Sequence, residues 1–307
     1  MVLKVLKFKR LPFSLSLFCL LFFFNPLHAE DNTLQTGEVS VLFEKSLENV
    51  AKDVVNIYPA VKAELIQKIG LEVDFRPEVL LVRGRDFLNK RAGNDIIVAF
   101  AIPERNSIVL DISKVYAKPF SLEATLKHEL CHLLLRRHIK GERLPRWLDE
   151  GICQWSSGGI AEIMTDSGDN ILARATISDR LIPINELRRF PTEKQSLILA
   201  YEESKSIVEY IVAEFGEHEI LQVLEYLKKG YSLDEALWKS LSVTTSELEL
   251  KWHAYLKKKY TRISYLSRNL YIILFSLAAL LTVYGFIRML KKKKVYMDEA
   301  EKDDSGT

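Results

Sequence analysis

An uncharged apolar run near the C-terminus constrains the fold of this chain more than any other feature. The run, LYIILFSLAALLTVYGFI, covers residues 270–287, and as a helix it would rise about 27 Å, close to the thickness of a bilayer core. Arg288 and the lysines at 291–294 follow it, as in a stop-transfer segment. A helix in a globular core is rarely apolar on every face. The run therefore predicts a transmembrane helix over residues 268–290 and a cytoplasmic tail over 291–307.

The N-terminus has the composition of an export signal. Four basic residues precede an apolar run from Leu11 to Phe24, and Ala29 offers a small residue at a cleavage position. An uncleaved N-terminal anchor is the alternative. We expect a signal peptide over residues 1–29, a linker over 30–39 and an exported domain over 40–259. The expected location is the cytoplasmic (inner) membrane, with a single pass, an extracytoplasmic, periplasmic domain and a cytoplasmic C-terminus.

Composition narrows the class of protein. The 307 residues are 48% hydrophobic and 27% charged, which suits one globular domain with appendages and excludes a disordered or collagen-like chain. The net charge of +2 gives no indication of nucleic acid as a partner. The sequence specifies no oligomeric state.

The order of predicted elements indicates an α+β fold. Apolar residues at helical spacing over 39–69 predict a helix that stops at Gly70, and residues 78–84, 95–102 and 107–112 predict strands. A helix capped by Ser121 follows, and a second begins after Pro145. The rest is helical, with capping boxes at 232–235 and 244–247. We expect a small mixed sheet, the helix from Ser121, a helical C-terminal half and one transmembrane helix.

The helix after Ser121 contains the motif HELCH, an H-E-x-x-H pattern. On a helix, His128 and His132 project on one face, about 40° apart, so both can bind one metal ion. Glu129 lies roughly 100° from His128, where it can hydrogen-bond a water held by that ion. By itself the motif is suggestive only, because a helix can contain two histidines by chance.

A catalytic zinc needs a third protein ligand and an open position. The segment WLDEG in the next helix offers two carboxylates, Asp149 and Glu150. Glu150 is the preferred candidate, since its 18-residue separation from His132 lets a returning helix face the first. Asp149 stays the competitor, and Gly151 would allow a close approach of that helix.

The segments HELCH and LPRWLDEGICQW resemble the gluzincin metallopeptidases of the peptidase MA-like family, which combine H-E-x-x-H with a W-x-x-E-G helix. Residues 200–216 and 246–256 resemble the later helices of that family, so the similarity covers roughly residues 40–258. The chain departs from the family at Cys131 and Cys153, neither of which is a ligand position.

The resemblance implies a zinc metallopeptidase acting on peptide or protein substrates. His128, His132 and Glu150 would hold Zn²⁺, and Glu129 would be the general base for a zinc-activated water. Tyr201 would stabilise the oxyanion, although a packing role for this tyrosine is the alternative. A catalytically inactive zinc-binding or scaffold protein of the cell envelope that keeps the fold is the alternative for the chain as a whole.

Cys131 and Cys153 lie on the two helices that carry the proposed ligands. Buried free thiols are the expected state. In an oxidising compartment, a disulfide between the two helices is the alternative.

Overall fold

A mixed five-stranded sheet forms the first half of the fold, in the order β1-β2-β3-β5-β4. Strands β2, β3 and β5 run parallel, and β1 and β4 pair antiparallel at the two edges. The strands are β1 Asp31–Gln35, β2 Ser40–Glu44, β3 Glu78–Val82, β4 Ala99–Ile102 and β5 Ser107–Asp111. The α+β class and the small mixed sheet predicted from the sequence are therefore confirmed.

The computed structural model describes residues 31–84, 98–116, 121–140, 143–158 and 171–304. The expected signal peptide, residues 1–29, lies outside the described residues. So do Gly141 and the first part of the predicted strand 95–102.

Two strands were not predicted. Residues 40–44, which the sequence places at the start of the first predicted helix, form β2, and the expected linker contains β1. Val39, Val41 and Phe43 are buried in alternation, which is the period of a half-buried strand and not that of a helix. β1 pairs with β2, placing Leu34 opposite Val41.

Helix α1, Glu48–Ile69, covers the sheet with a buried stripe. The stripe consists of Ala51, Val54, Tyr58, Val61, Leu65 and Ile69. Such three- and four-residue spacing places side chains on one face of a helix. Gly70 ends α1 in the left-handed region, with φ of 73°, a conformation that glycine adopts without steric cost. The predicted helix end is confirmed.

The remaining helices begin where the sequence supplies caps. Ser121 accepts a hydrogen bond from the Ala124 N–H, Ser232 and Glu235 form a capping box, and Thr244 exchanges hydrogen bonds with Glu247. Each satisfies backbone N–H groups that the first turn leaves without partners. The helices are α2 Leu122–His138, α3 Arg146–Ser156, α4 Ile171–Ile177, α5 Lys194–Phe215, α6 Glu217–Lys229, α7 Leu233–Leu241 and α8 Thr245–Asp304.

Helix α3 packs closely against α5 at Gly151. A Cβ at this position would collide with the Ser204 carbonyl oxygen and lie 2.6 Å from Val208 Cγ2. The close approach expected of this glycine is therefore made to α5, while α3 presents other positions to α2.

Helix α8 changes character along its 60 residues. Leu248, Trp252 and Leu256 are buried in the core, whereas the apolar side chains from Leu274 to Leu290 are exposed. Over Leu274–Lys291 it is the one helix, among the described residues, that is long and apolar enough to cross a membrane. The helix continues to Asp304 through part of the expected tail, where lysine, glutamate and alanine favour helix.

Candidate metal centre

Helix α2 carries both histidines of the H-E-x-x-H motif on its buried side. It contacts α1, β4, β5 and α3, and all of its residues from His128 to Leu135 are buried. The site is therefore held by packing on several sides of the helix.

Three side-chain donors converge at one point. His128 Nε2 lies 3.1 Å from His132 Nε2, and Glu150 Oε2 lies 3.8 Å from the first and 3.5 Å from the second. Helix α3 contributes Glu150 from its first turns. The structure thus brings together the three residues that the sequence suggests as ligands.

This geometry fits a tetrahedral metal site. With metal–ligand distances of about 2.0–2.1 Å, ligand atoms in a tetrahedral zinc site lie about 3.3 Å apart. The three separations, 3.1, 3.5 and 3.8 Å, bracket that value. Two imidazole nitrogens and a carboxylate oxygen are also donors that zinc accepts.

Asp149 faces the other nitrogen of His132. Its Oδ1 lies 3.0 Å from His132 Nδ1, and its Oδ2 accepts hydrogen bonds from Arg136 Nη2 at 2.7 Å and Nε at 2.9 Å. The sequence suggested Asp149 only as a competing ligand and gave no indication of the role of Arg136. The carboxylate instead fixes the orientation of His132, an arrangement common around metal-bound histidines.

The two histidines differ in their pKa values. Burial, together with the charge of His132, lowers the pKa of His128 to about 3. Burial acts in the same direction on His132, but the Asp149 and Glu150 carboxylates outweigh it and raise the pKa of His132 well above 6.5. His128 therefore has a free lone pair at neutral pH, and a metal ion that binds His132 displaces a proton.

Glu129 and Tyr201, the two residues suggested for catalysis, are both buried, at 0% and 2% exposure. Glu129 lies beside His128 on α2. The Tyr201 hydroxyl accepts a hydrogen bond from Arg146 Nη2 at 3.3 Å, and Arg146 Nε lies 3.5 Å from Glu150 Oε1. Arg146, which sequence reasoning did not single out, thus connects Tyr201 to the donor group.

Cys131 and Cys153 form a disulfide, with their Cα atoms 5.4 Å apart. The expectation of free thiols is therefore wrong, because α2 and α3 pack closely enough to join the two side chains. Cys153 Sγ lies 3.5 Å from His132 Nδ1, but a disulfide sulfur is not a thiolate ligand. The bond ties together the two helices that carry the three donors.

A cleft of about 1060 Å³ opens beside the donor group and is lined by two of its members, His132 and Glu150, but not by His128, Glu129 or Tyr201. On one side it is lined by Phe100 and Ala101 of β4, and elsewhere by His132, Glu150 and Phe190. β4 is the last strand of the sheet in the described part of the chain. The donor group is therefore reached from a cavity that is large enough for several residues of an extended peptide.

Comparison with known proteins adds a family match. A sequence model of the peptidase MA superfamily matches residues 94–258, more than half of the chain. No curated protein sequence matches the chain significantly. Among solved structures, a crystal structure of a two-domain M1 zinc metallopeptidase mutant bound to L-arginine gives a TM-score of 0.42 at 15% identity. That alignment covers 74% of this chain and 51% of the other, so this chain spans about half of its length.

Proposed function

Because the chain belongs to the peptidase MA superfamily, we propose that it is a membrane-anchored, extracytoplasmic zinc metallopeptidase that hydrolyses peptide bonds. The observation that carries the proposal is the convergence of His128 Nε2, His132 Nε2 and Glu150 Oε2 beside an open cleft. All three side chains are buried, so the site is preorganised by the fold.

The three donor residues would bind the metal ion, and Glu129 would transfer the proton. A zinc ion held by His128, His132 and Glu150 would polarise a peptide carbonyl and lower the pKa of a water toward about 7. Glu129 accepts the proton of the attacking water and returns it to the leaving amine. Asp149 holds the ring of His132. Burial alone would raise the pKa of Asp149, but the charges and hydrogen bonds of His132 and Arg136 outweigh it and lower that pKa.

Tyr201 is the candidate donor for the oxyanion, together with Arg146. The guanidinium of Arg146 contacts both the Tyr201 hydroxyl and Glu150, so a donor group stands next to the ligands. A positive charge or a hydroxyl at such a position stabilises charge that develops on the substrate carbonyl.

The substrate is proposed to lie along β4. An extended peptide can add to the edge of a sheet through main-chain hydrogen bonds, and Phe100 and Ala101 of this strand line the cleft. A binding mode based on main-chain contacts suits a peptide or protein substrate.

The apolar part of α8 is proposed to anchor the enzyme. Its side chains are exposed, as for Phe275 at 77%, and a bilayer would cover them. The lysines that follow favour the cytoplasmic side, which places the catalytic domain outside the inner membrane.

Cleavage assays with Glu129→Gln test the proposed activity. The full chain in detergent, loaded with zinc, is expected to cleave members of a peptide library. The variant keeps its zinc and loses at least about 100-fold in rate, since it lacks the general base. Bound zinc without any cleavage by the unchanged protein would favour the alternative, an inactive zinc-binding or scaffold protein of the envelope.

A further inference from the structure

The cleft beside the three donors has a basic wall. Its charged lining combines four arginines with three carboxylates: Arg136, Arg146, Arg188 and Arg189, and Glu104, Asp149 and Glu150. The arginines come from three separate parts of the chain, namely the end of α2, the start of α3 and the residues before α5.

Two of the carboxylates are already engaged, and so are two of the arginines, because Arg136 pairs with Asp149 and Arg146 with Glu150. Asp149 is bound by Arg136 and His132, and Glu150 belongs to the donor group for a cation. Among the described lining residues, Glu104 is the remaining acidic side chain, beside the two remaining arginines, Arg188 and Arg189. A divalent ion at the donor group would make the cleft more positive still.

The segment that carries Arg188 and Arg189 is fixed to the helical core. The Ile182 N–H donates to Glu203 Oε1 at 3.0 Å, and the Ile184 N–H donates to Glu249 Oε2 at 3.3 Å. The side chains of Ile184 and Leu187 are fully buried. The backbone that presents the two arginines is thus held from α5 and α8.

Phe190 secures the end of the same segment. Its ring contacts Tyr201 edge to face at 5.0 Å between centroids, and the Arg146 guanidinium lies 4.7 Å from its centre. Arg189 is therefore flanked by a packed residue that reaches the donor group through Arg146. Arg188 also has an interaction within the protein, so Arg189 is the better candidate for contact with a ligand.

We infer that the cleft selects peptides that carry an acidic side chain close to the scissile bond, with Arg189 as the principal specificity-determining residue. This inference rests on the proposed function for its catalytic consequence. A guanidinium forms paired hydrogen bonds with a carboxylate, and an excess of positive charge in a cleft attracts ligands of the opposite sign.

The test separates binding from catalysis. Fluorescent peptides that differ only in glutamate or glutamine at one position, scanned along the peptide, are bound to the full-length, zinc-loaded Glu129→Gln chain in detergent. Fluorescence anisotropy gives the two affinities. The same pairs are then given to the chain with Glu129 intact, and kcat and KM are compared. Arg189→Glu is the test variant, and Arg180→Glu, an exposed arginine outside the described cleft lining, is the matched control.

At one or more positions, the glutamate peptide should bind about two- to fivefold more tightly than its glutamine partner, as expected for a solvent-accessible ion pair. The ratio should fall to about one or below in Arg189→Glu, stay unchanged in Arg180→Glu, and shrink at high salt. In cleavage, the difference should appear in KM.

Equal binding of both peptides at every position, or a preference that survives Arg189→Glu, would overturn the inference even if cleavage is observed. A preference for acidic peptides that Arg189→Glu abolishes, without any cleavage, would support the inference on binding and overturn the proposed activity instead.

Discussion

Removal of the disulfide between Cys131 and Cys153 should destabilise the domain, because the unfolded chain regains the conformational entropy of the loop that the bond closes. The two residues are 22 positions apart. The chain-entropy relation then gives about 11.3 cal/mol/K for closing the loop, or about 3.4 kcal/mol at 25 °C. For a domain of this size, that loss corresponds to a fall in Tm of roughly 7–14 °C.

The assay is thermal unfolding of the full chain in detergent for Cys131→Ala, Cys153→Ala and the double variant. Either single change breaks the bond, so each should cost nearly as much as both together. Reductant should lower the Tm of the unchanged protein and leave that of the double variant in place. Losses that add in the double variant, with no response to reductant, would refute the bond, because independent buried thiols contribute separately.

Three further changes test individual side chains. Asp149→Asn, which removes the charge facing His132, should weaken zinc affinity about 10- to 100-fold in a competition titration with a chelator; an unchanged affinity would exclude the orienting role. Tyr201→Phe should lower kcat about 100-fold or more without loss of zinc or stability, as expected for an oxyanion donor; an unchanged kcat would leave the ring only its packing against Phe190. Burial raises the pKa of Glu203 to about 8 from 4.5. The free energy of unfolding should therefore decrease as the pH rises from 4.5 to about 8, by at most about 5 kcal/mol. Glu203→Gln should flatten the pH dependence of Tm, and an unaltered slope would contradict the shift.

The direction of the pH effect on folding stability follows from the proton that Glu203 binds in the folded state. Between pH 4.5 and about 8 the folded chain keeps the proton that the unfolded chain has lost, so the unfolded state is favoured as pH rises through this window. The Glu249 carboxylate adds to the same direction, while the Ile182 N–H opposes it.

Local patterns predicted the parts of the fold that depend on neighbouring residues. Ser121, Gly70 and the capping box at Ser232 fixed helix ends, because caps act within one turn. β1 and β2 were not predicted because a short strand is stabilised by its partner strands. The partner of β2, strand β3, is separated from it in the sequence by the whole of α1. The sequence signal for β2 was the apolar residue at every second position, Val39, Val41 and Phe43.

In the candidate site, too, the features set by local spacing could be predicted, and those set by packing between distant segments could not. The spacing of His128 and His132 follows from helical geometry, and Glu150 could be suggested from the helix after Pro145. The contacts of Asp149 and the Cys131–Cys153 bond depend on the distance between two helices, which no spacing along the chain gives. The basic wall at Arg189 depends on a segment held from two other helices, so the sequence offered no signal for it.

The metal content of the full chain, measured by mass spectrometry in detergent after zinc reconstitution, tests the three-ligand site most directly. Glu150→Gln is compared with Glu104→Gln, a change at another acidic residue of the cleft. We expect about one zinc per chain, kept in Glu104→Gln and lost or much weakened in Glu150→Gln. No zinc in the unchanged protein, or zinc that is retained equally in both variants, would contradict the three-ligand site.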